Sequence, residues 1–319
     1  MDMQKKPFFS IVIPAYNREA EIQRAVDSCI KQTYTDLEVI VVDDASQDKT
    51  AAAAEAIAVI DRRVRVIRHV ENRGVCPARN TGIDHCCGEW VLFLDSDDEL
   101  LSGALKRIWE LTHACPETIG RLGFAYRRDD GETSPQPLVS DCILDYAGYL
   151  AWSDGVVYND FFHCTRRRLL EQVRFPNSRA YEAVYLLDSA QFYRTRLLPE
   201  IVAAIHTDSA NRASNLPDQE LMTGFLRTAD DELAAVVAIL NRHGTALARY
   251  APGRYRVHCR EQVNFTLLAG RRLEGSRLAL LYLAQYPFCL KTWVIWLAGI
   301  FGPSALARVK TLGLRGGKV

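Results

Sequence analysis

Two rhythms of apolar residues alternate through the first third of the chain. Short, mainly apolar runs at FFSIVI (8–13), LEVIVV (37–42), VRVIR (64–68) and WVLFL (90–94) have the length and β-branched content of strands. Their lack of polar alternation predicts burial on both faces. Between the first two, Ile22, Ala25, Val26, Cys29 and Ile30 recur at helical spacing and mark one apolar face. Further helices are predicted near 49–58, 77–86 and 102–114. Strand–helix alternation of this kind implies parallel strands joined by right-handed crossovers. The expected fold class is therefore α/β, a Rossmann-like, mostly parallel sheet flanked by helices. Past residue 115 the rhythm breaks. RRDDGETSPQP (127–137) reads as a mobile polar loop and TDSANRASNLPDQE (207–220) as a connector, and the pattern from about 220 onward is helical. This divides the chain into an α/β region, 1–215, and a helical C-terminal region, 216–319, amphipathic and basic at its end.

Charge and cysteine content narrow the setting. Lysine plus arginine equals aspartate plus glutamate, 39 each, so no polyanionic partner such as nucleic acid is expected. The nine cysteines show no zinc-like spacing, and reduced thiols of a cytoplasmic protein are the expectation. The first residues lack the features of a signal peptide, and TWVIWLAGIFG (292–302) falls short of the roughly 20 residues that span a bilayer. No acid follows Glu274, while Arg277, Lys291, Arg308, Lys310, Arg315 and Lys318 do. That greasy, basic segment has three available fates: packing on the rest of the protein, a dimer contact, or adsorption to the inner face of a membrane.

Candidate chemistry concentrates where strands end. EVIVV runs into Asp43 and Asp44, and VLFL into Asp95, Asp97, Asp98 and Glu99. In an open parallel sheet ligands bind beyond the carboxyl ends of the strands, so these tips share one edge. Crowded carboxylates need a neutraliser, and Mg²⁺ or Mn²⁺ shared with a diphosphate is a natural one. Asp95-Ser96-Asp97 thus reads as a metal–diphosphate anchor. The plainer reading has Asp97, Asp98 and Glu99 capping helix 102–114, and Asp44 as a turn residue. No P-loop and no G-x-G-x-x-G follows the first strand, which ends in Pro14-Ala15-Tyr16-Asn17.

IVIPAYNRE (11–19), QTYTDLEVIVVDDASQDKT (32–50), NRGVCPARNTGID (72–84) and GEWVLFLDSDDEL (88–100), in that order, resemble the inverting family-two glycosyltransferases of GT-A fold. The resemblance implies a nucleotide-sugar donor, usually a UDP-sugar, a divalent cation, and a glycan or lipid-linked acceptor in polysaccharide assembly. It makes 1–215 the catalytic domain. Carried over by position, Pro14, Ala15 and Tyr16 would border the nucleoside, Asp44 the base and Arg79 the nucleotide. Asp95 would touch the ribose or metal-bound water, and Asp97, or Asp98 equally, would ligate the metal. His206 would complete the metal shell. The family pattern places Glu-Asp at the start of a late helix, whereas Glu182 is followed here by Ala183, so Glu182 is the candidate general base. Two alternatives stand beside this: a non-catalytic nucleotide-sugar-binding module, and a sugar-phosphate nucleotidyltransferase, which would want a glycine-rich loop after the first strand. The arginines at 166–168 read as a solvated basic turn or an anion site.

Overall fold

A computed structural model describes residues 6–154, 161–178, 181–206 and 218–316. The chain opens with β1 (Phe9–Ala15), α1 (Ile22–Ile30), β2 (Leu37–Asp43), α2 (Thr50–Ile60), β3 (Val64–Arg68), α3 (Val75–His85) and β4 (Trp90–Phe93). Next come β5 (Glu99–Leu100), α4 (Ala104–His113), β6 (Ile119–Arg128), β7 (Thr133–Ser134), β8 (Cys142–Leu144), α5 (Tyr146–Asp154), β9 (Phe162–Arg166) and α6 (Arg167–Gln172). After α7 (Ala183–Phe192) and β10 (Arg194–Ile205) the rest is helical: α8 (Asp218–Tyr250), α9 (Pro252–Leu268), α10 (Arg272–Gln285), α11 (Leu290–Ile300) and α12 (Pro303–Gly316). The class is α/β, as the alternation predicts. Two compact units divide the chain: Met1–Pro176 with Tyr185–Ser209, and Asn177–Val184 with Ala210–Val319. The predicted connector falls mostly outside the described residues.

In the first unit one sheet runs β3-β2-β1-β4-β9-β6-β10-β5, with β7 on β6 and β8 on β10. β3, β2, β1 and β4 are parallel to one another, as are β6 and β10, while β9 lies antiparallel between β4 and β6. Alternation explains the continuous apolar strands. Phe9, Ile11 and Ile13 face a core shared with α1 and α4, whereas Val12, Ile40 and Val42 face the opposite layer with Cys76, Ala78 and Leu170. Helix α3 lies so close to β1 that a Cβ on Gly82 would fall 2.2 Å from Val12 Cγ1, which is why glycine stands there. A proline inside β1 is tolerated for a directional reason. Ala15 O accepts from Asp44 N on the β2 side and Val12 O from Leu94 N on the β4 side. Pro14 therefore points toward β4, which has already ended, and its missing N–H forfeits no ladder bond.

The stretch read as a mobile loop is a hairpin. β6 continues to Arg128, Arg127 pairs with Thr133 of β7, and Gly131, at φ +83°, turns the chain between them. Asp-Gly turn chemistry outweighs the polarity that suggested a loop.

Past β1 and β2 the chain is stitched across. Asn17 N donates to Ser46 Oγ at 3.0 Å, and Gln47 N returns a bond to Asn17 Oδ1 at 2.8 Å. Arg18 N donates to Thr50 Oγ1 at 2.7 Å, Glu19 N to Asp48 Oδ2 at 3.2 Å, and Lys49 N to Glu19 Oε2 at 2.9 Å. Two residues here adopt left-handed backbone, Asn17 at φ +51° and Ala45 at φ +62°. Asparagine tolerates that region; alanine is strained in it by roughly 1–2 kcal/mol.

In the second unit, Tyr181 packs with Phe265 and the α8–α12 core, and its hydroxyl lies 3.1 Å from His258 Nδ1. Burial, then Arg254 and His243, push the His258 pKa down to about 4.

Two predictions follow from these strains. Ala45→Gly should stabilise the protein by about 0.5–1 kcal/mol, the relieved strain being partly offset by glycine's extra freedom when unfolded, read from urea denaturation. Unfolded histidine titrates near 6.5, so the unfolded chain binds the extra proton between that pH and about 4. The stability contributed by neutral His258 is complete above pH ~6.5 and lost as pH falls through the folded value. Thermal melts should show this fall, with a shallower slope in His258→Asn.

Candidate active site

Parallel register sets Ala15 opposite Asp43 and Val12 opposite Phe93, so β1, β2 and β4 end along one edge. Asp44, just past β2, is buried there and its carboxylate is fully used. Oδ1 accepts from Arg73 N at 2.9 Å and lies 2.7 Å from His69 Nδ1, while Oδ2 accepts from Gly74 N at 2.7 Å. His69 Nε2 in turn meets Thr81 Oγ1 of α3 at 2.9 Å. Asp44 thereby ties the loop before α3 to the sheet, with its charge at that helix's positive end. Neighbouring Asp43 is 1% exposed, and neither carboxylate oxygen has a hydrogen-bond partner; Arg68 Nε stands 3.9 Å off.

After β4 the chain turns, Asp98 N donating to Asp95 O at 3.1 Å, and Glu99–Leu100 pair with β10 as β5. The acids are consequently not helix caps: α4 starts at Ala104 behind Gly103, in left-handed backbone with no side-chain cap. The turn divides the carboxylates among three partners. Arg79 of α3, buried beneath the rings of Phe93 and Phe175, donates Nη2 to Asp95 Oδ1 at 2.9 Å. Arg18 Nη2 lies 3.6 Å from Asp97 Oδ2, and Arg24 of α1 donates to the Asp97 carbonyl. Asp98 points inward, and its Oδ1 accepts from the His206 backbone N at 3.2 Å. Glu99 Oε1 lies 3.3 Å from His206 Nε2, and Asp129 Oδ1 lies 3.0 Å from Nδ1. Asp97 and Asp98, interchangeable in sequence, thus differ in place.

Magnitudes separate fixed from available groups. Each hydrogen bond to buried, charged Asp44 is worth about 1.5–3 kcal/mol, so withdrawing that carboxylate toward a ligand breaks a costly set. Asp95 is half-exposed, and its pair with Arg79 is worth about 1 kcal/mol or less, readily exchanged for a ligand.

Several expected placements change accordingly. Asp44 is held as a loop anchor by three protein groups, His69 and the backbone N–H groups of Arg73 and Gly74. Pro14 and Ala15 are buried in β1, paired to β2, and only Tyr16 among those three is exposed. Ser96 is buried within the turn. Both His206 ring nitrogens face carboxylates, Nε2 that of Glu99 and Nδ1 that of Asp129. Glu182 sits half-buried in the turn before α7, on the segment counted with the helical unit. The arginines are neither a solvated turn nor an anion site: Arg166 bonds the Ile119 carbonyl and covers Trp90, Arg167 bonds the Gly88 carbonyl and Arg168 the Glu117 carbonyl. Trp90 begins β4, which puts Arg166 at the edge opposite the acids.

Among the described residues no group of three His, Cys, Asp or Glu forms a cage for a metal ion. The oxygen donors at Asp95 and Asp97 still fit Mg²⁺ or Mn²⁺, which commonly take one or two carboxylates and complete their shell with substrate phosphate and water. Sequence reasoning missed Arg18, Arg24, His69 and Asp129, and it noted Asp43 only as part of an acidic strand tip. Only the Asp-Gly turn beside Asp129 offered a local signal.

Residues 10–172 match the family model described as Glycosyl transferase family 2. An uncharacterized glycosyltransferase of Bacillus subtilis (strain 168), EpsJ, is 37% identical over 272 residues, 81% of this chain and 74% of that protein. The GalNAc(5)-diNAcBac-PP-undecaprenol beta-1,3-glucosyltransferase of Campylobacter jejuni is 37% identical over 174 residues, 53% of this chain and 55% of that protein. The S. aureus TarS 1-349 structure in complex with UDP-GlcNAc superposes with a TM-score of 0.57 at 18% identity, covering 98% of this chain and 92% of that one. The mannosyltransferase PcManGT of Pyrobaculum calidifontis, in complex with GDP-Man and Mn2+, does so at 0.56 and 20% identity, covering 97% and 88%. These structural likenesses establish the fold, GT-A, and with the family model spanning half the sequence and EpsJ aligned over most of it, the chain belongs to glycosyl transferase family 2.

Proposed function

We propose that this protein is an inverting, cation-dependent glycosyltransferase. It moves a sugar from a nucleotide sugar, a UDP-sugar by preference, to a hydroxyl of a glycan or lipid-linked acceptor in surface polysaccharide assembly. The observation that carries the reading is the pairing at the sheet edge: Asp95 with Arg79, and Asp97 with Arg18. Two acids and two guanidinium groups side by side offer a pyrophosphate both cationic donors and a place for its counter-ion. UDP-GlcNAc in TarS and GDP-Man with Mn2+ in PcManGT support the donor class and the cation, and the undecaprenol-linked substrate in the Campylobacter enzyme's name supports the acceptor class. Family membership favours glycosyl transfer over the nucleotidyltransferase alternative.

Asp97, with Asp95 beside it, would hold Mn²⁺ or Mg²⁺. That cation would offset the charge of the departing diphosphate. Arg79 and Arg18, released from their carboxylates, would hold the diphosphate oxygens, and exposed Tyr16 offers its ring to the nucleoside. Asp43, its oxygens unpartnered, is the carboxylate better placed than Asp44 to read a base N–H. Glu182 would take the proton of the acceptor hydroxyl, so that a single displacement inverts the anomeric centre, and an α-linked donor gives a β-linked product. The cysteine pattern supports a cytoplasmic site of action.

A panel of nucleotide sugars tested for turnover with and without Mn²⁺ checks the scheme. One UDP-sugar should be consumed, with activity lost in EDTA. Asp97→Asn should lower kcat by about 10²–10³-fold and Glu182→Gln by about 10²–10⁴-fold, donor binding being retained in the latter. Full turnover by Glu182→Gln removes it as the base; donor binding without turnover in the wild type assigns the protein to the binding-module class.

A further inference from the structure

Helix α11 presents a face that its own unit does not use. Its inner side packs: Ile295, Trp296 and Ala298 lie against the core built on Val263, Leu267 and Leu306, and Thr292 and Gly299 are buried. A Cβ on Gly299 would come within 2.7 Å of Leu267 Cδ1, which fixes that side close against α9. The outer side carries Leu290, Trp293, Val294, Leu297 and Ile300, all exposed and spaced i, i+3, i+4, i+7 and i+10, one stripe of a 3.6-residue period. Phe288, 97% exposed, precedes the stripe and Phe301, 81% exposed, ends it. Single apolar residues on a surface are ordinary; a continuous stripe bracketed by two phenylalanines is an interface.

Charge selects the occupant. No acid follows Glu274, and Arg277, Lys291 and Arg308 are exposed. Lys310 is used internally, its Nζ 4.6 Å from the ring centres of both Phe225 and Phe265. A two-fold pairing of this face with a second copy must be self-complementary, and here it would bring cationic flanks together with no acid on the segment to offset them. An anionic lipid surface accepts both the stripe and the flanking cations. Eleven residues make a helix of about 16 Å, suited to lying in an interface rather than crossing it. No helix among the described residues is long and apolar enough to cross a membrane. We propose that α11, with Phe288 and Phe301, is a membrane-docking surface that seats the helical unit in the headgroup–acyl boundary of an anionic leaflet. The assignment is independent of the donor site.

Flotation of the full chain with phosphatidylcholine vesicles, and with vesicles that also contain phosphatidylglycerol, tests it. The wild type should float with the mixed vesicles at least about tenfold better than with the neutral ones, and salt should weaken the binding. Leu297→Glu and Phe301→Glu should each lose that recovery about tenfold, with far-UV circular dichroism and turnover of soluble substrate unchanged. Lys291→Gln combined with Arg308→Gln should narrow the difference between the two vesicle types. Failure of the wild type to float, or equal flotation of Leu297→Glu, overturns the proposal. So does a wild-type dimer, seen by light scattering, that Leu297→Glu dissociates while neither protein binds vesicles; the face then belongs to a second copy.

Discussion

The parallel register of β1 against β2 and β4 is the constraint from which the site follows. With Ala15 opposite Asp43 and Phe93 opposite Val12, three strand tips must finish together, and four consecutive crossings of the chain deliver polar loops to the same edge. The reciprocal bonds between residues 17–19 and 46–50 turn two of these loops into one rigid rim. A slip of one residue would exchange the two faces of β1, sending Ile11 and Ile13 to the layer shaped for Val12. Placement of the acids is thus secured by burial far from them.

The same constraint resolves how one turn tolerates Asp95, Asp97, Asp98 and Glu99. They are drawn to three different places: Asp95 to α3 through Arg79, Asp97 to the β1–α1 loop through Arg18, and Asp98 and Glu99 to the end of β10 at His206. Asp98 and Glu99 brace the framework, while Asp95 and Asp97 hold arginines in ion pairs. A guanidinium that balances a carboxylate at modest strength is available to a phosphate, so under the proposed function neutralising the turn and preparing a diphosphate site would be one arrangement.

Sequence pattern reveals the framework and the acidic edge because both are local. Buried parallel strands need unbroken apolar runs, and those runs end within two residues of where the strands do. The partners of the acids are not local. Arg18 and Arg24 reach Asp97 across 79 and 73 positions counted along the chain, and Arg79 reaches Asp95 across 16, and no periodicity records such a meeting. Asp43 and Asp44 are adjacent and chemically identical. Which accepts hydrogen bonds from protein and which, among the described residues, accepts none depends on the direction each side chain leaves the strand end, set by tertiary contacts at Arg73 and Gly74. Arg166 misled for the opposite reason: three consecutive arginines suggest solvent, yet each finds a carbonyl or an aromatic ring.

Glu182 belongs to a different unit from the acidic edge. The segment Asn177–Val184 counts with the helical unit, where Tyr181 is held by Phe265 and His258, so the candidate base is carried by residues that take no part in the sheet. Under the proposed function, donor chemistry would be built on the α/β unit, and activation of the acceptor on the unit that also bears the α11 stripe. A lipid-linked acceptor arrives from a membrane surface. Under the docking proposal, the unit that would take its proton is the unit that would meet that surface, and an enzyme so divided can change acceptor and membrane contact without disturbing the register that holds the donor site.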